Sequence, residues 1–246
     1  MPSNTKRPLI KEISPVARIH TDYPTKFGIP RQCGLVESEG IILFEPEYAN
    51  PDCLKMIEGF SHLWLIWGFS ENEGASWSPT VRPPRLGGNR RVGVFASRSP
   101  FRPNGLGLSV VRLIRTENHM ERSFYKGPAL IVSGADLMDG TPIYDIKPYM
   151  PYSDSVPQAS GGYSAGARDH CLSVDFPEDL LAKIPEKKRE PLIKALSLDP
   201  RPSYHKDPER EYGMPYAEFD IHFQVDEERL RVTGVYLSKG SPVSNS

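Results

Sequence analysis

Cysteine is scarce in this chain of 246 residues: Cys33, Cys53 and Cys171 are odd in number, widely spaced and form no CxxC pair. That excludes a disulfide framework or a zinc ribbon and predicts reduced thiols in or near a core. The six histidines contain no HxxxH or HExxH pair, so no metal site is expected. No apolar run approaches the ~20 residues of a membrane span, and the longest, Leu63 to Phe69, has the length of one strand. The opening MPSNTKRPLIKEI lacks an apolar signal core, so a cytoplasmic location is expected. Long helices are disfavoured by 25 prolines, about twice the usual share, because proline removes backbone donors and breaks helix interiors. No internal repeat is evident.

One long stretch has no acid. Between Glu73 and Glu117, the 43 residues 74–116 contain neither Asp nor Glu and no lysine, but eight arginines. These are Arg82, Arg85, Arg90, Arg91, Arg98, Arg102, Arg112 and Arg115. The formal net charge of −1 is therefore an average over unlike parts: +8 in this stretch and −9 in the remainder. Arginine presents a planar fork that pairs bidentately with phosphate and carboxylate and stacks on bases. Interleaved glycines and prolines supply tight turns and rigidity. The combination suits a site that holds donors in fixed directions toward an anion or a nucleobase. A familiar nucleotide loop is absent. Gly88 to Gly93 has the P-loop glycine spacing, but Val94 stands where lysine is required. No GxGxxG opens a helix after a strand, so Walker and Rossmann sites both fail.

The pattern along the chain is short strands joined by rigid loops. Strands are expected at 13–20, 40–45, 62–69, 92–97, 107–115, 122–126, 128–134 and 142–147, with one two-turn helix from Pro51 to about Gly59 capped by Asn50. Seven or eight strands with one short helix argue for a barrel or sandwich. Residues 150–169 read as a linker or draped loop rich in Ser, Pro, Gly and Ala. Beyond it, helical spacing from Pro177 to Leu196, split at Pro185, precedes a hairpin of strands 216–225 and 229–237. The expected organisation is mainly β: an N-terminal barrel or sandwich at 1–155, a linker at 156–169 and a small α+β C-terminal domain at 170–246.

Three strings occur in order: Pro30-Arg31-Gln32; Gly93-Val-Phe-Ala-Ser-Arg98-Ser-Pro-Phe-Arg102-Pro-Asn104; and Asp139-Gly140-Thr141-Pro142 followed by Asp145-Ile-Lys147-Pro-Tyr149. Phe60-Ser-His-Leu-Trp64 and Arg82-Pro-Pro-Arg85-Leu-Gly-Gly88 fall between the first two. Over about residues 13–150 this order resembles the TsaA-like family, whose characterised members are TrmO-type tRNA methyltransferases. Asp199-Pro-Arg201-Pro-Ser-Tyr204 is similar to the C-terminal segment of longer bacterial members. The resemblance implies a non-Rossmann β-barrel that binds S-adenosylmethionine and acts as a homodimer. It implies N6-methylation of threonylcarbamoyladenosine at position 37 of tRNA. A non-catalytic RNA-binding module on the same barrel, or a methyltransferase with another small acceptor, are the alternatives.

Carried over by position, the resemblance implies that Gln32, Cys33, Gly34 and Leu35 line the cofactor, with Ser70 and Glu71, Arg102, Arg112 and Leu113, and Asp139, Gly140, Thr141 and Pro142. The family often has Pro where Cys33 stands, and His-Gln or His-Lys where Ser70-Glu71 stands. Arg102 is a candidate partner for the cofactor carboxylate. Asp139 or Asp145 is a candidate acceptor for its ribose hydroxyls or amino group. Asp145, Lys147 and Tyr149 are candidate catalytic residues for the proton that N6 must lose. Arg82, Arg85, Arg90 and Arg91 are candidates for phosphate contact. In the C-terminal domain Arg201, Tyr204, His205 and Lys206 form a basic and aromatic cluster. Tyr23 and Phe27 are candidates for stacking on anticodon-loop bases.

Overall fold

A computed structural model of the chain describes residues 12–72, 76–83, 86, 90–122, 125–164, 171–201 and 207–238. Six strands pair in the cyclic order β1-β2-β7-β6-β3-β8 and close into a barrel. They are β1 (Ala17–His20), β2 (Glu39–Phe44), β3 (His62–Gly68), β6 (Leu106–Arg122), β7 (Tyr125–Ser133) and β8 (Thr141–Pro148). All six contacts are antiparallel, and the ring closes where Ala17 of β1 pairs with Ile143 of β8. Alternation places every second residue inside. Ile19, Ile42, Leu63, Leu65, Val111, Leu130, Val132 and Ile143 fill the lumen and are almost fully buried. Each such side chain stabilises the fold by about 1.5–3 kcal/mol relative to exposure. A separate short ladder joins β4 (Thr80–Val81) to β5 (Val92–Gly93).

Antiparallel order gives the barrel two ends. The upper end gathers the C-termini of β1, β3 and β7 and the N-termini of β2, β6 and β8. Three connections leave it: residues 21–38, 69–105 and 134–140. The lower end carries 45–61 and the tip of the β6–β7 hairpin.

Several local expectations give way. The helix expected from Pro51 is two 3-10 turns, Pro51–Leu54 and Ile57–Gly59, because Met56 between them is left-handed (φ 68°). Asn50 does cap the first, accepting from the Asp52 N–H at 3.0 Å. The strand expected at 92–97 ends at Gly93 and turns into a 3-10 turn, Val94–Ala96, which buries Val94 and leaves Phe95 outside. The strand expected to stop at Arg115 runs on for 17 residues to Arg122. It is bulged against β7 between Leu113/Arg115 and Glu117/Met120, and past Glu117 it leaves the barrel as a two-stranded ribbon with β7. A ribbon wet on both faces has no apolar alternation to announce it. Cys53 and Cys171 are exposed, and only Cys33 is partly enclosed. The 3-10 turn around Cys53 buries Leu54 instead.

The second sheet has the order β10-β11-β12-β9. It contains β9 (Ser173–Asp175), β10 (Tyr212–Tyr216), β11 (Phe219–Asp226) and β12 (Arg229–Leu237), and it is backed by α3 (Glu186–Ser197). The helical stretch is split at Pro185 as its spacing predicts, into α2 (Glu178–Leu181) and α3, with Pro185 at the N-cap of α3. A further short helix, α1 (Pro151–Asp154), opens the linker. Among the described residues no helix is long and apolar enough to cross a membrane.

The connection 21–38 belongs to both units. Tyr23 and Val36, at its two ends, are buried in the apolar core of the second sheet with Met214, Tyr216 and Phe223. Phe27 stacks on Phe223 with ring centroids 6.5 Å apart. The Ala217 N–H donates to the Asp22 carbonyl at 2.8 Å, and Lys188 pairs with the Asp22 carboxylate. This corrects the stacking roles expected for Tyr23 and Phe27. Tyr23 has no exposed surface, its hydroxyl meets Ser38 at 3.2 Å, and burial pushes its pKa up to about 12. Both rings are used to seal the loop onto the tail unit.

Candidate functional site

The upper end of the barrel brings the sequence-predicted strings together. Gln32, Cys33, Gly34 and Leu35 lie in the first connection, Arg98 and Arg102 in the second, and Asp139 and Gly140 in the third. Gln32 accepts from the Arg98 guanidinium, which ties the first connection to the second. The Gly34 N–H donates to the Gly134 carbonyl at 2.8 Å, which ties it to the third. Gly134 is left-handed (φ 86°), and a Cβ there would stand 3.3 Å from the Gly34 Cα, so the approach of two backbones requires glycine. Ser70 and Glu71 form a 3-10 turn at the end of β3, and Lys26 of the first connection donates to the Glu71 carbonyl at 3.2 Å. Arg102 is half-buried and donates to the Ser97 carbonyl at 3.1 Å. Arg112 is exposed on β6 and pairs with Glu37 at 3.3 Å, while the neighbouring Leu113 packs against the barrel core.

Asp139 accepts from the Thr21 N–H and from His20 Nδ1, each at 3.1 Å. Burial works to raise its carboxyl pKa, but these hydrogen bonds and the charges of His20 and Arg122 outweigh it and hold the group below its ordinary value. Gly140 donates to the Ile19 carbonyl at 2.8 Å, and Thr141 and Pro142 are buried where β8 begins beside β1. Asp139 is therefore an anion on a rim that also carries the Arg98 and Arg102 guanidiniums.

A buried polar chain lies under this rim, and sequence reasoning missed it. Trp67 Nε1 donates to Ser109 Oγ at 3.0 Å, and Ser109 Oγ donates to Asp136 Oδ1 at 2.6 Å. The indole can only donate, so the serine proton is free to go to the carboxylate and the direction of the chain is set. Ser109 is 1% exposed, on β6 opposite Leu65 of β3. Burial raises the Asp136 pKa, opposed by the Ser109 hydrogen bond, the Arg98 charge and the Cys33 N–H. Burial likewise raises the Cys33 thiol, with the Asp136 charge acting in the same direction. The signal in the sequence was the acid three residues before Asp139. Nothing short of the folded arrangement separates it from an ordinary loop aspartate.

Asp145, Lys147 and Tyr149 lie elsewhere on the barrel. Lys147 is five residues beyond Pro142, which at ~3.3 Å per residue is about 16 Å along β8 toward the lower end. Asp145 and Lys147 form a partly exposed ion pair at 2.9 Å. Tyr149 packs against Trp64 (5.7 Å between ring centroids) and His62 (6.2 Å). Trp64 Nε1 donates to Asp154 at 2.9 Å. The three residues thus form a polar and aromatic strip on the outer wall, across β3 and β8. Arg82, Arg90 and Arg91 are exposed on the long second connection, Arg91 donating to Thr80 Oγ1 at 2.9 Å. Arg201 is enclosed (12% of its side chain exposed) and gives Nε and Nη2 to Asp199 at 2.9 and 3.1 Å. Arg85, Tyr204, His205 and Lys206 lie outside the described residues. Among the described residues no group of three His, Cys, Asp or Glu side chains is placed to hold a metal ion.

Residues 18–155 match the tRNA-methyltransferase O N-terminal domain, and residues 169–238 match the TrmO C-terminal domain. The tRNA (adenine(37)-N6)-methyltransferase of Escherichia coli K12 is 38% identical over 223 residues, covering 87% of this chain and 93% of that protein. RcsF of Pseudomonas aeruginosa, provisionally assigned as an S-adenosylmethionine-dependent methyltransferase, is 38% identical over 86% of this chain and 91% of its own length. The crystal structure of TrmO from Pseudomonas aeruginosa superposes with a TM-score of 0.71 at 31% identity, covering 93% of this chain and all of that one. With family matches on both units and relatives aligned nearly end to end, this chain belongs to the TrmO family.

Proposed function

We propose that this chain is an S-adenosylmethionine-dependent tRNA methyltransferase. It methylates N6 of the adenosine at position 37, in the anticodon loop, and the base it acts on carries a threonylcarbamoyl group. The observation that carries the reading is the convergence of Gln32–Leu35, Arg98, Arg102 and Asp139 on one end of a barrel built as in the TrmO family.

The donor set of that end suits the cofactor. S-adenosylmethionine bears a carboxylate, an ammonium, a sulfonium, a ribose and an adenine, and it supplies an electrophilic methyl group. Arg102 has the fork to take a carboxylate bidentately. Asp139, kept ionised by His20 and Thr21, suits an ammonium or ribose hydroxyls. Gln32, Cys33, Gly34, Leu35, Ser70, Glu71, Arg112, Leu113, Gly140, Thr141 and Pro142 complete the proposed lining. The protein's own work is alignment and exclusion of water, the principal levers in an in-line displacement. The residues expected to handle the N6 proton, Asp145, Lys147 and Tyr149, lie on the outer wall toward the lower end, out of hydrogen-bond reach of a methyl donor held at the upper end by the same chain.

Arg82, Arg85, Arg90 and Arg91 are proposed to meet tRNA phosphates, and the 170–246 unit adds a contact region around Tyr204, where Arg201 is committed to Asp199. A homodimer in the cytoplasm is part of the same reading; Phe95, Phe101 and Leu108 give the upper end exposed apolar surface for a second copy. The test is incubation of the purified protein with S-adenosylmethionine and tRNA carrying or lacking the threonylcarbamoyl group, followed by nucleoside mass spectrometry. Methylation confined to the modified tRNA is expected. Equal methylation of both would refute the substrate, and no methylation of either, with tRNA still bound, would leave an RNA-binding module.

A further inference from the structure

We propose that Asp136 is a positioning residue for the cofactor loop: its carboxylate, oriented by Ser109, takes the Cys33 N–H and so sets where Gln32 to Leu35 stand at the barrel end. The inference rests on the reading of that end as the S-adenosylmethionine site. Asp136 touches none of the reacting atoms in this role and acts through the loop.

Four observations meet at this side chain. Ser109 is fully buried in the barrel wall and donates to Asp136 at 2.6 Å, while Trp67 donates to the same serine at 3.0 Å. One face of the carboxyl is thus fixed by two rigid strands, β3 and β6, and not by a surface side chain. The Cys33 N–H faces the carboxyl from the loop side. Arg98 stands near enough to favour the carboxylate and at the same time donates to Gln32. Finally, Gly34 is bonded to Gly134, two residues before Asp136, so backbone and side chain of the third connection face two adjacent loop residues, Gly34 and Cys33. A buried carboxylate is costly unless its acceptors are used. Here the donors that use them come from the barrel wall on one side and the cofactor loop on the other. Hydrogen bonds to charged groups are worth enough that losing one shifts an equilibrium by about tenfold to a hundredfold.

The test is calorimetric titration of full-length wild type, D136N and D136A with S-adenosylmethionine, well below each protein's unfolding midpoint. Wild type is expected to bind. Asp136→Ala is expected to bind at least tenfold more weakly. Asp136→Asn keeps one acceptor oxygen and turns an NH2 donor toward the other side, so it serves one of the two donors and is expected to bind between wild type and D136A. Should D136A fail to fold, S109A takes its place and is expected to weaken binding in the same direction. Wild-type affinity in D136A, or in S109A where it substitutes, overturns the proposal. So does an Asn variant no better than the Ala variant, because a retained acceptor would then do nothing for the loop. If wild type itself does not bind, it is the cofactor reading of this end that fails.

Discussion

Replacing Gly28 by Ala probes the junction on which the proposed cofactor loop hangs. Gly28 is buried at φ 92°, and a Cβ built on it would come within 2.4 Å of Met214 Sδ and 2.7 Å of Met214 Cγ. Two penalties add. A left-handed L-residue costs about 1–2 kcal/mol. Forcing a methyl into a closed core costs about 1–3 kcal/mol, because Met214 has no exposed surface into which to retreat. The sum is about 2–5 kcal/mol, which in a chain of this size lowers the thermal midpoint by about 4–20 °C. Thermal unfolding followed by fluorescence checks the magnitude, and a double-mutant cycle checks the cause. Met214→Ala alone destabilises by about 2–5 kcal/mol through the cavity it leaves. That cavity accepts the new methyl, so the double variant should be more stable than the sum of the single changes by about 1–3 kcal/mol. A midpoint unchanged in G28A, or strict additivity in the double variant, would refute the packing of the loop against the tail sheet.

Two carboxyls at the upper end should respond to pH with opposite signs. Asp136 has its pKa raised by burial, so the native protein loses stability as pH rises through it; D136N does not titrate, and its midpoint relative to wild type should climb with pH across the carboxylate range. Asp139 has its pKa lowered, so it stabilises the native state at neutral pH and that gain is lost on acidification; the deficit of D139N should shrink as pH falls. Thermal midpoints at a series of pH values read both, and parallel slopes for the two variants would show that their environments are misassigned. For tRNA binding, R90A and R91A should each weaken affinity for all tRNAs alike and reduce the slope of log K against log salt by about one phosphate contact. An unchanged slope in both would remove these arginines from the RNA face.

The parts of this protein legible in its sequence are those written in contiguous residues. The three strings around Gln32, Arg102 and Asp139 are compact in sequence, and each sits in its own connection at the same barrel end. The aromatic run of β3 alternates buried Leu63, Leu65 and Trp67 with less buried neighbours, as a barrel wall requires. The split at Pro185 was legible because proline acts locally. What could not be read depended on distant partners. β10 contains Gly213 and Pro215 and looks like a turn, yet it pairs with all of Phe219–Phe223 because β11 supplies the ladder. β9 is three residues held in parallel register by β12. Asp136 is one more loop acid until Ser109 and Trp67, from two other strands, converge on it.

The connection 21–38 shows why the tail unit cannot be treated as an appendage to a finished site. A loop that carries Gln32 to Leu35 must be ordered before it can order a ligand, and ordering each backbone residue costs about 1–2 kcal/mol. Among the described residues, the apolar core that takes Tyr23, Phe27 and Val36 contains no residue of the barrel strands. The tail sheet contributes Met214, Tyr216 and Phe223, against which Tyr23, Phe27 and Val36 are buried or packed. It adds Ala217 and Lys188 on Asp22, and the Asp199 carbonyl on Arg31 at 2.8 Å. On the barrel side Arg98 holds Gln32 and Gly134 holds Gly34, and Asp136 is the proposed third tie, on Cys33. Hydrophobic burial on the tail side provides the ordering energy, and directional hydrogen bonds on the barrel side provide the placement. It follows that substitutions in the tail core, far from the barrel end, should weaken cofactor binding through loop order, whereas substitutions of the three ties should weaken it with the fold intact.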